Sequence, residues 1–216
     1  MVTEEHTRRR GRPTKAEAPA PDVDVLAAAL RAFATYGYAG VSLRTLNREL
    51  GVSHNLLHQR FGSKWAIWRA AVDWGFGGLV GELEAADREH DDPLRRLRSF
   101  IRTFVKVSAS RPELLRIVDA ESSQPSDRLD YLCGTYILPM AARFRPVYDQ
   151  LLAGGRIRPI PLETIYYMIT SGGAALYAND AMTTQLFGQL PRTKSDVERH
   201  ADAAADLLVA GLSLSD

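Results

Sequence analysis

The chain has 216 residues, of which 45% are hydrophobic and 25% charged, and its formal net charge is +1. The charged N-terminus lacks the apolar segment of a secretory signal, and no apolar run approaches the length of a membrane span, so we expect a cytoplasmic protein with no membrane partner. The single cysteine, Cys133, excludes an internal disulfide framework.

The charge is unevenly distributed, with +5 on residues 1–72 and −4 on residues 73–216. Residues 8–15, RRRGRPTK, carry five positive charges and no acid, and their glycine and proline oppose helix formation. We interpret residues 1–21 as a flexible basic arm and linker. The arm either follows DNA phosphates or a minor groove, or is a solubilising tail. Its DNA-binding candidates are Arg8, Arg9, Arg10 and Arg12.

Two short helical patterns around Gly51 predict a helix-turn-helix. An apolar stripe between Val25 and Phe33 predicts a preceding helix that ends near Gly37. Ser42 is a good N-cap for the first helix of the motif, Gly51 supplies the left-handed backbone that ends it, and Ser53 is predicted to cap the second. This layout favours DNA binding, with four candidates before the second helix: Ser42, Arg44, Thr45 and Ser53.

The second helix is predicted to present one face to the protein and the other to DNA. Leu57 and Phe61 lie four residues apart on one side, where they can pack against the first helix. The side chains that point away are candidates to read bases: Asn55, Leu56, His58 and Gln59. The alternative is an ordinary solvated helix face. Beyond Gly62, Ser63 is predicted to cap another helix and to place Lys64 where it can contact a phosphate.

The segment AALRAFATYGYAGVSLRTLNRELGVSHNLLHQRFGSKWAIWRAAV resembles the N-terminal domain of the TetR family of bacterial transcriptional regulators. The resemblance rests on Tyr36 and Gly37, on Gly51 to Ser53 at the turn, and on Phe61 to Lys64 after it. The family commonly has a DNA-contacting tyrosine three residues before that phenylalanine, where this chain has His58. The resemblance implies a second domain that binds small inducers and that dimerises through a four-helix bundle with two helices from each subunit.

The pattern after residue 74 remains helical, so we expect an all-α protein of about nine helices. Residues 22–74 would form the three-helix helix-turn-helix domain and residues 75–216 a larger helical bundle for ligand binding and dimerisation. Helices are predicted near 93–109, 111–123, 126–152, 162–178 and 195–212, the third being disturbed by Pro139 and Pro146. The glycine-rich GFGGLVG segment at 75–81 has the spacing of no nucleotide-binding loop, and it should make the fourth helix easy to bend or break.

The second domain is rich in aromatic residues, many of them tyrosines. A tyrosine suits a position where one end of the ring meets a polar partner, so a partly polar ligand pocket is predicted; ordinary core packing is the alternative. Its candidates are Phe100, Phe104, Tyr131, Tyr136, Met140, Tyr166 and Tyr177. His54 and His58 lack a third metal ligand, and no nucleophile motif is recognisable. We therefore expect no metal, no cofactor and no catalysis.

Small residues at 171–175 indicate close approach of another backbone, and the last helix carries a second apolar seam. We predict that both form the dimer interface, although the two seams could instead be buried within one chain. The interface candidates are Ile169, Gly172, Gly173, Leu176, Val197, Ala201, Ala204 and Leu208.

The sequence therefore predicts a homodimeric, ligand-responsive transcriptional regulator, a repressor in the first instance. Its partners would be a double-stranded DNA operator and a small-molecule effector. The alternative is an α-helical enzyme or small-molecule carrier that uses the aromatic pocket directly.

Overall fold

A computed structural model of the chain describes residues 22–53, 55–190 and 192–214. Over these residues the fold is all-α, as predicted. The helices are α1 (Asp22–Gly40), α2 (Leu43–Glu49), α3 (Leu56–Phe61), α4 (Lys64–Arg88), α5 (Pro93–Ser110), α6 (Pro112–Glu121), α7 (Asp127–Leu132), α8 (Leu138–Ala153), α9 (Leu162–Tyr167), α10 (Ala175–Ala178), α11 (Asp180–Phe187) and α12 (Lys194–Leu212). Two π-helical segments, Cys133–Ile137 and Met168–Gly173, connect α7 to α8 and α9 to α10.

The N-terminal helices pack around one buried tryptophan. Trp68 of α4 has no exposed surface, and the buried stripe of α1 that includes Val25 and Phe33 packs against the same core. Gly37 interrupts α1 with φ 67° and ψ 168°, which confirms that the regular helix ends there. The core continues along α4 into the C-terminal bundle, so α4 joins the predicted helix-turn-helix to the rest of the protein.

The predicted helix over residues 126–152 is interrupted once, by a π-helical turn. Pro139 lies directly after this turn, at the start of α8. Proline has no N–H to donate to a carbonyl four residues earlier, and the wider π-helical turn is where the chain departs from the α-helical pattern. Pro146, by contrast, is accommodated inside α8. The helices predicted at 93–109, 111–123 and 195–212 are present with small shifts of their ends.

Helix α11 is absent from the sequence-based prediction. Among its residues only Thr183 is buried, whereas Met182, Leu186 and Phe187 are exposed. A surface helix is recognised in a sequence by an apolar stripe that faces the core. The apolar residues of α11 form no such buried stripe.

The glycine-rich part of α4 lies within a continuous helix from Lys64 to Arg88, and how easily this helix bends stays a prediction. Two of its glycines allow close contacts instead. A Cβ atom on Gly75 would lie 2.7 Å from Cδ2 of Leu114, and one on Gly78 would lie 2.7 Å from the Arg111 guanidinium. That guanidinium donates to the Gly75 carbonyl. The corner between α5 and α6 is thereby held against α4.

We expect alanine substitutions in this segment to change stability in opposite directions. A Cβ atom on Gly77 or Gly81 would have no neighbour within 4 Å, so Gly77→Ala and Gly81→Ala should each stabilise the protein by about 0.8–1 kcal/mol through helix propensity. Gly75→Ala should destabilise it, because the new methyl group meets the buried Leu30 and Leu114 side chains. Urea unfolding followed by circular dichroism measures both effects, and equal stabilisation by all three variants would contradict the close contact at Gly75.

A row of ion pairs fastens the last helix to α5. Arg98, Arg102 and Lys106 project from α5 towards acidic residues one turn apart on α12. Their pairs are Arg98–Asp206, Arg98–Asp202, Arg102–Asp202, Arg102–Glu198 and Lys106–Glu198. The hydrogen bond from Lys106 lowers the pKa of Glu198, and that from Arg98 lowers the pKa of Asp206. Burial opposes ionisation of Asp202, but hydrogen bonds from Arg102 and Arg98 still keep its pKa below the ordinary value.

These lowered pKa values predict acid sensitivity. A carboxylate whose pKa is lower in the folded state adds stability above its unfolded pKa of about 4, and this is lost as the pH falls through the folded pKa. Asp202→Asn should therefore reduce stability at pH 7 and weaken the loss seen on acidification to pH 3. Asp149→Asn, which removes an exposed ion pair within α8, is the matched control and should change little. Parallel stability–pH curves for wild type and Asp202→Asn would refute the assignment.

Candidate DNA interface, effector cavity and dimer face

The reading head, which we define as α2 and α3, is held together by local caps and one buried amide. The Ser42 hydroxyl accepts a hydrogen bond from the Thr45 N–H at 3.0 Å, and Gly51 turns the chain with φ 64°. Asn47 is only 2% exposed, and its side-chain oxygen accepts a hydrogen bond from the Leu57 N–H at 3.3 Å. An amide from α2 thus caps the first turn of α3. Sequence analysis missed Asn47, whose only signal was a polar residue on the apolar side of α2.

Helix α3 presents the expected polar face. Leu57 is fully buried, while Asn55, His58 and Gln59 are exposed and Leu56 is half-buried. The helix begins at Leu56 with Asn55 as its N-cap, so the prediction that Ser53 caps it is wrong. The reason is that the Leu56 N–H bonds to the Ser53 carbonyl, closing a turn before the helix begins. Exposed side chains that can pair with base edges therefore share one surface.

The remaining DNA-binding candidates lie around this surface. Ser42, Arg44 and Ser53 are exposed and Thr45 is half-buried. At the end of α3, Arg60 forms an ion pair with Asp22. Asp22 is the first described residue of the chain, and this ion pair holds the start of α1 beside the end of α3. The arm candidates Arg8, Arg9, Arg10 and Arg12, together with His54, lie outside the described residues.

Lys64 lies at the junction between the reading head and the bundle. Its Nζ atom is 4.3 Å from the centre of the Tyr38 ring and 3.4 Å from the Ala39 carbonyl oxygen. The Arg128 guanidinium of α7 approaches the same ring, also at 4.3 Å. Burial, and then repulsion from Arg128, lower the pKa of Lys64. A residue of the C-terminal bundle therefore influences this lysine directly.

A small cavity lies between α4, α5, the first π-helical segment and α8. Its volume is about 90 Å³, well below the roughly 300–1,000 Å³ of sites for drug-sized ligands. Ion pairs Arg96–Asp87 and Arg143–Glu84 neutralise the charged lining residues. The other lining residues are Val80, Leu83, Leu97, Phe100, Thr135, Tyr136, Pro139, Met140, Phe144 and Val147. The cavity must widen to accept a ligand of that size, and its lining favours one that is mainly apolar.

The structure brings together only some of the predicted ligand-binding residues. Phe100, Tyr136 and Met140 line the cavity. The others do not line it: Phe104 is buried in the core, and Tyr131 packs against Trp65 and Trp68 of α4. Tyr166 is half-buried, and burial raises its pKa. Tyr177 belongs to a separate buried cluster with Val105 and Ala201, and its hydroxyl has no hydrogen-bond partner among the described residues.

Much of the apolar seam of α12 faces α5 rather than outwards. Ile169 and Ala201 are buried inside one chain, which leaves almost none of their surface for the predicted contact with a partner. The half-buried candidates Leu176, Val197 and Ala204 pack against the buried Val105 cluster, and Leu208 packs against the main core. A Cβ atom on the half-buried Gly173 would lie 3.4 Å from Val105. Of the predicted interface residues, Gly172 is exposed.

A different surface of these helices is apolar and exposed. We define the outer face as Tyr167, Met168, Gly172, Ala203 and Leu207, all exposed in the single chain. Leu207 is 74% exposed and Tyr167 64%. The hydrogen bond between His200 Nε2 and the Gly173 carbonyl, at 2.9 Å, holds the two halves of this face side by side. Such an apolar surface is typical of a protein–protein interface.

Two family models match the chain in the regions that contain these features. Residues 25–71 match the N-terminal domain of the tetR family of bacterial regulatory proteins, and residues 93–208 match a tetracyclin repressor-like C-terminal domain. The chain belongs to the TetR family. It therefore has the family's architecture, a helix-turn-helix DNA-binding part followed by a ligand-binding helical domain.

Solved structures share this TetR fold over most of the chain. A tetR-family regulatory protein from Rhodococcus RHA1 is 20% identical, with 94% of this chain and 100% of that chain covered and a TM-score of 0.70. The TetR-family regulator PfmR of Thermus thermophilus is also 20% identical (92% and 100% covered, TM-score 0.68). The ketosteroid regulator KstR2 of Mycobacterium tuberculosis is 16% identical (89% and 95% covered, TM-score 0.68). At these identities the likeness shows the fold alone.

Comparison with curated proteins gives no match. Within the described ranges, no helix is both long and apolar enough to cross a membrane, and no group of three or more potential ligands is placed to hold a metal ion.

Proposed function

We propose that this TetR-family protein is a homodimeric repressor that releases its DNA operator when an apolar small molecule enters the C-terminal domain. The observation that carries the proposal is the surface of α3. Asn55, His58 and Gln59 are exposed opposite the fully buried Leu57. Asn and Gln can pair bidentately with adenine in a major groove. Both family models describe regulatory proteins or their domains, which favours regulation over the enzyme or carrier alternative.

The effector site of this proposal is the cavity beside α4. Its lining is mainly apolar, and its charged residues are already paired with one another. A ligand that carried its own charge would have to compete with these ion pairs, whereas an apolar ligand would not. A ligand that widens the cavity would act on α4, which leads directly to the reading head.

Two reading heads are needed for tight binding to an operator with two half-sites. The outer face offers the surface for the dimer, since Tyr167, Met168 and Leu207 would otherwise remain exposed to water. The proposed interface is therefore not the buried seam of α12. It still lies on the two parts of the chain predicted from the sequence, namely the region around the second π-helical segment and α12.

Nuclease protection of the DNA that flanks the gene for this protein tests the proposal. We expect a protected segment with two related half-sites, roughly one helical turn or a multiple of it apart. Thermal-shift screening with apolar compounds should then identify a stabiliser that also releases this DNA. Protection that fails on this DNA and on a genomic fragment library would exclude the proposed function.

Removal of residues 1–15 should weaken DNA binding and reduce its dependence on salt. The arm carries five cations in residues 8–15, and each phosphate contact contributes about 0.9 to the slope of log affinity against log salt. Thermal stability should hardly change, because the arm has little apolar content to pack. A truncated protein with the affinity and salt slope of the full chain would show that the arm is only a tail.

A further inference from the structure

A single carboxylate oxygen accepts hydrogen bonds from two tyrosines in different surroundings. The hydroxyls of Tyr131 in α7 and Tyr136 in the π-helical segment each donate to Oδ1 of Asp73, both at 2.6 Å. Burial is the main cause that raises the pKa of both tyrosines, and the hydrogen bonds to Asp73 raise them further. Both hydroxyls therefore remain protonated donors at neutral pH. Asp73 lies on α4, between the reading head and the glycine-rich segment.

Tyr136 is the member of this group that contacts the cavity. Its side chain forms part of the cavity wall. Its ring stacks on Phe76, with the centroids 4.4 Å apart and the planes inclined by 13°. It also follows Thr135, which lines the same cavity, so a ligand that widens the cavity presses on the residues that set the position of this hydroxyl.

Tyr131 is the member of this group that contacts the first turns of α4. Its ring meets Trp65 and Trp68 edge-on, with centroid distances of 5.9 and 6.2 Å. Trp68 in turn meets Tyr38 edge-on at 6.3 Å, and Tyr38 carries the Lys64 ammonium group on its ring. The contacts therefore run without a gap from the Tyr131 hydroxyl to the lysine beside the reading head.

We propose that Asp73 is a positioning residue that couples the cavity to the reading head, because its shared oxygen links Tyr136 in the cavity wall to Tyr131, which packs on Trp65 and Trp68 at the start of α4, directly after the reading head. Movement of Tyr136 by an occupant changes the hydrogen bonding of that oxygen and so the position of Tyr131 against Trp65 and Trp68. The coupling rests on the proposed function, since it requires DNA at the head and a ligand in the cavity. A ligand in the cavity shifts the equilibrium between the two arrangements of Asp73, Tyr131 and Tyr136 only by the difference in its affinity for them.

Phenylalanine substitutions test the coupling because they remove one hydroxyl and keep the ring. Tyr136→Phe should lower affinity for the protected DNA by about five-fold or more. This effect would be expected even though Tyr136 lies in the cavity wall and not in α3. Tyr148→Phe is the matched control. The Tyr148 hydroxyl donates to the Ile160 carbonyl at 2.7 Å, so its loss should lower stability and leave DNA affinity within two-fold, on the order of measurement scatter.

The paired variant supplies a second criterion. Because both donors share one oxygen, the Tyr131→Phe and Tyr136→Phe effects on DNA affinity should not add. In a Trp74→Phe background, Tyr136→Phe should also shift the fluorescence of Trp65 and Trp68, whereas Tyr148→Phe should not.

The two possible failures are distinguishable. If wild type protects DNA but Tyr136→Phe and Tyr148→Phe bind it equally, or if the two tyrosine effects simply add, the coupling is wrong and the proposed function stands. If wild type protects no DNA, the proposed function is wrong and the coupling falls with it.

Discussion

A Leu207→Glu variant is expected to be monomeric and to lose at least about 100-fold in operator affinity, because two linked reading heads gain roughly 10²- to 10⁴-fold over one. Leu207 is the most exposed large apolar side chain of the outer face, at 74%. Placing a carboxylate there would bury two like charges across a symmetric interface. Sedimentation velocity at micromolar concentration measures the association state, and fluorescence anisotropy with the protected DNA measures affinity.

Leu138→Glu is the control for this experiment. Leu138 is 63% exposed at the start of α8, outside the outer face, so the same substitution there should leave a dimer with normal affinity. Substitutions at Gly173 or Ala204 are less informative, since both residues pack towards Val105 inside the chain. A dimeric Leu207→Glu protein would place the interface elsewhere, and a monomeric wild type would contradict the dimer itself.

Alanine at Gln59 or Asn55 should cost about 1–3 kcal/mol of binding energy on the specific site and relax the preference for one base pair. Both side chains are exposed on the surface of α3 that faces away from Leu57. Protein stability should be almost unaffected, because neither side chain is buried. Affinities for the protected DNA and for its single-base variants measure the effect.

Lys64→Ala should behave differently, weakening specific and random DNA alike and reducing the salt slope by about one unit. Gln150→Ala, an exposed glutamine of α8, serves as the control and should bind normally. If the Gln59 and Asn55 variants keep wild-type base preference, another surface reads the operator.

The reading head was predictable because local rules determine it. Gly51 and Gly62 both adopt positive φ, 64° and 75°, and glycine alone accepts this conformation without strain. The four-residue spacing of Leu57 and Phe61 places them on the inner face of α3, where Leu57 has no exposed surface. The buried Asn47 amide and its partner, the Leu57 N–H, lie only ten residues apart in the sequence.

The cavity and the outer face were less predictable because they depend on distant contacts. An apolar stripe such as that of α12 indicates that the helix is buried against another element. The stripe does not indicate whether that element is α5 or a helix of a second chain. Similarly, the hydroxyls of Tyr131 and Tyr136 each have a polar partner, whereas that of Tyr177 has none among the described residues. That partner for Tyr131 and Tyr136 is Asp73, 58 and 63 residues away, and no spacing in the sequence identifies it.

The amide of Asn47 has a consequence for changing the operator that this protein recognises. Asn47 supplies a cap to α3 from the neighbouring helix, and Asn55 makes no side-chain cap bond of its own, so this cap does not depend on the identity of the exposed residues of α3. Positions 55, 58 and 59 can therefore be varied together, with proline and glycine left out because they disfavour the helix. The protein is suited to redesign towards new DNA targets, provided that Asn47 is left unchanged.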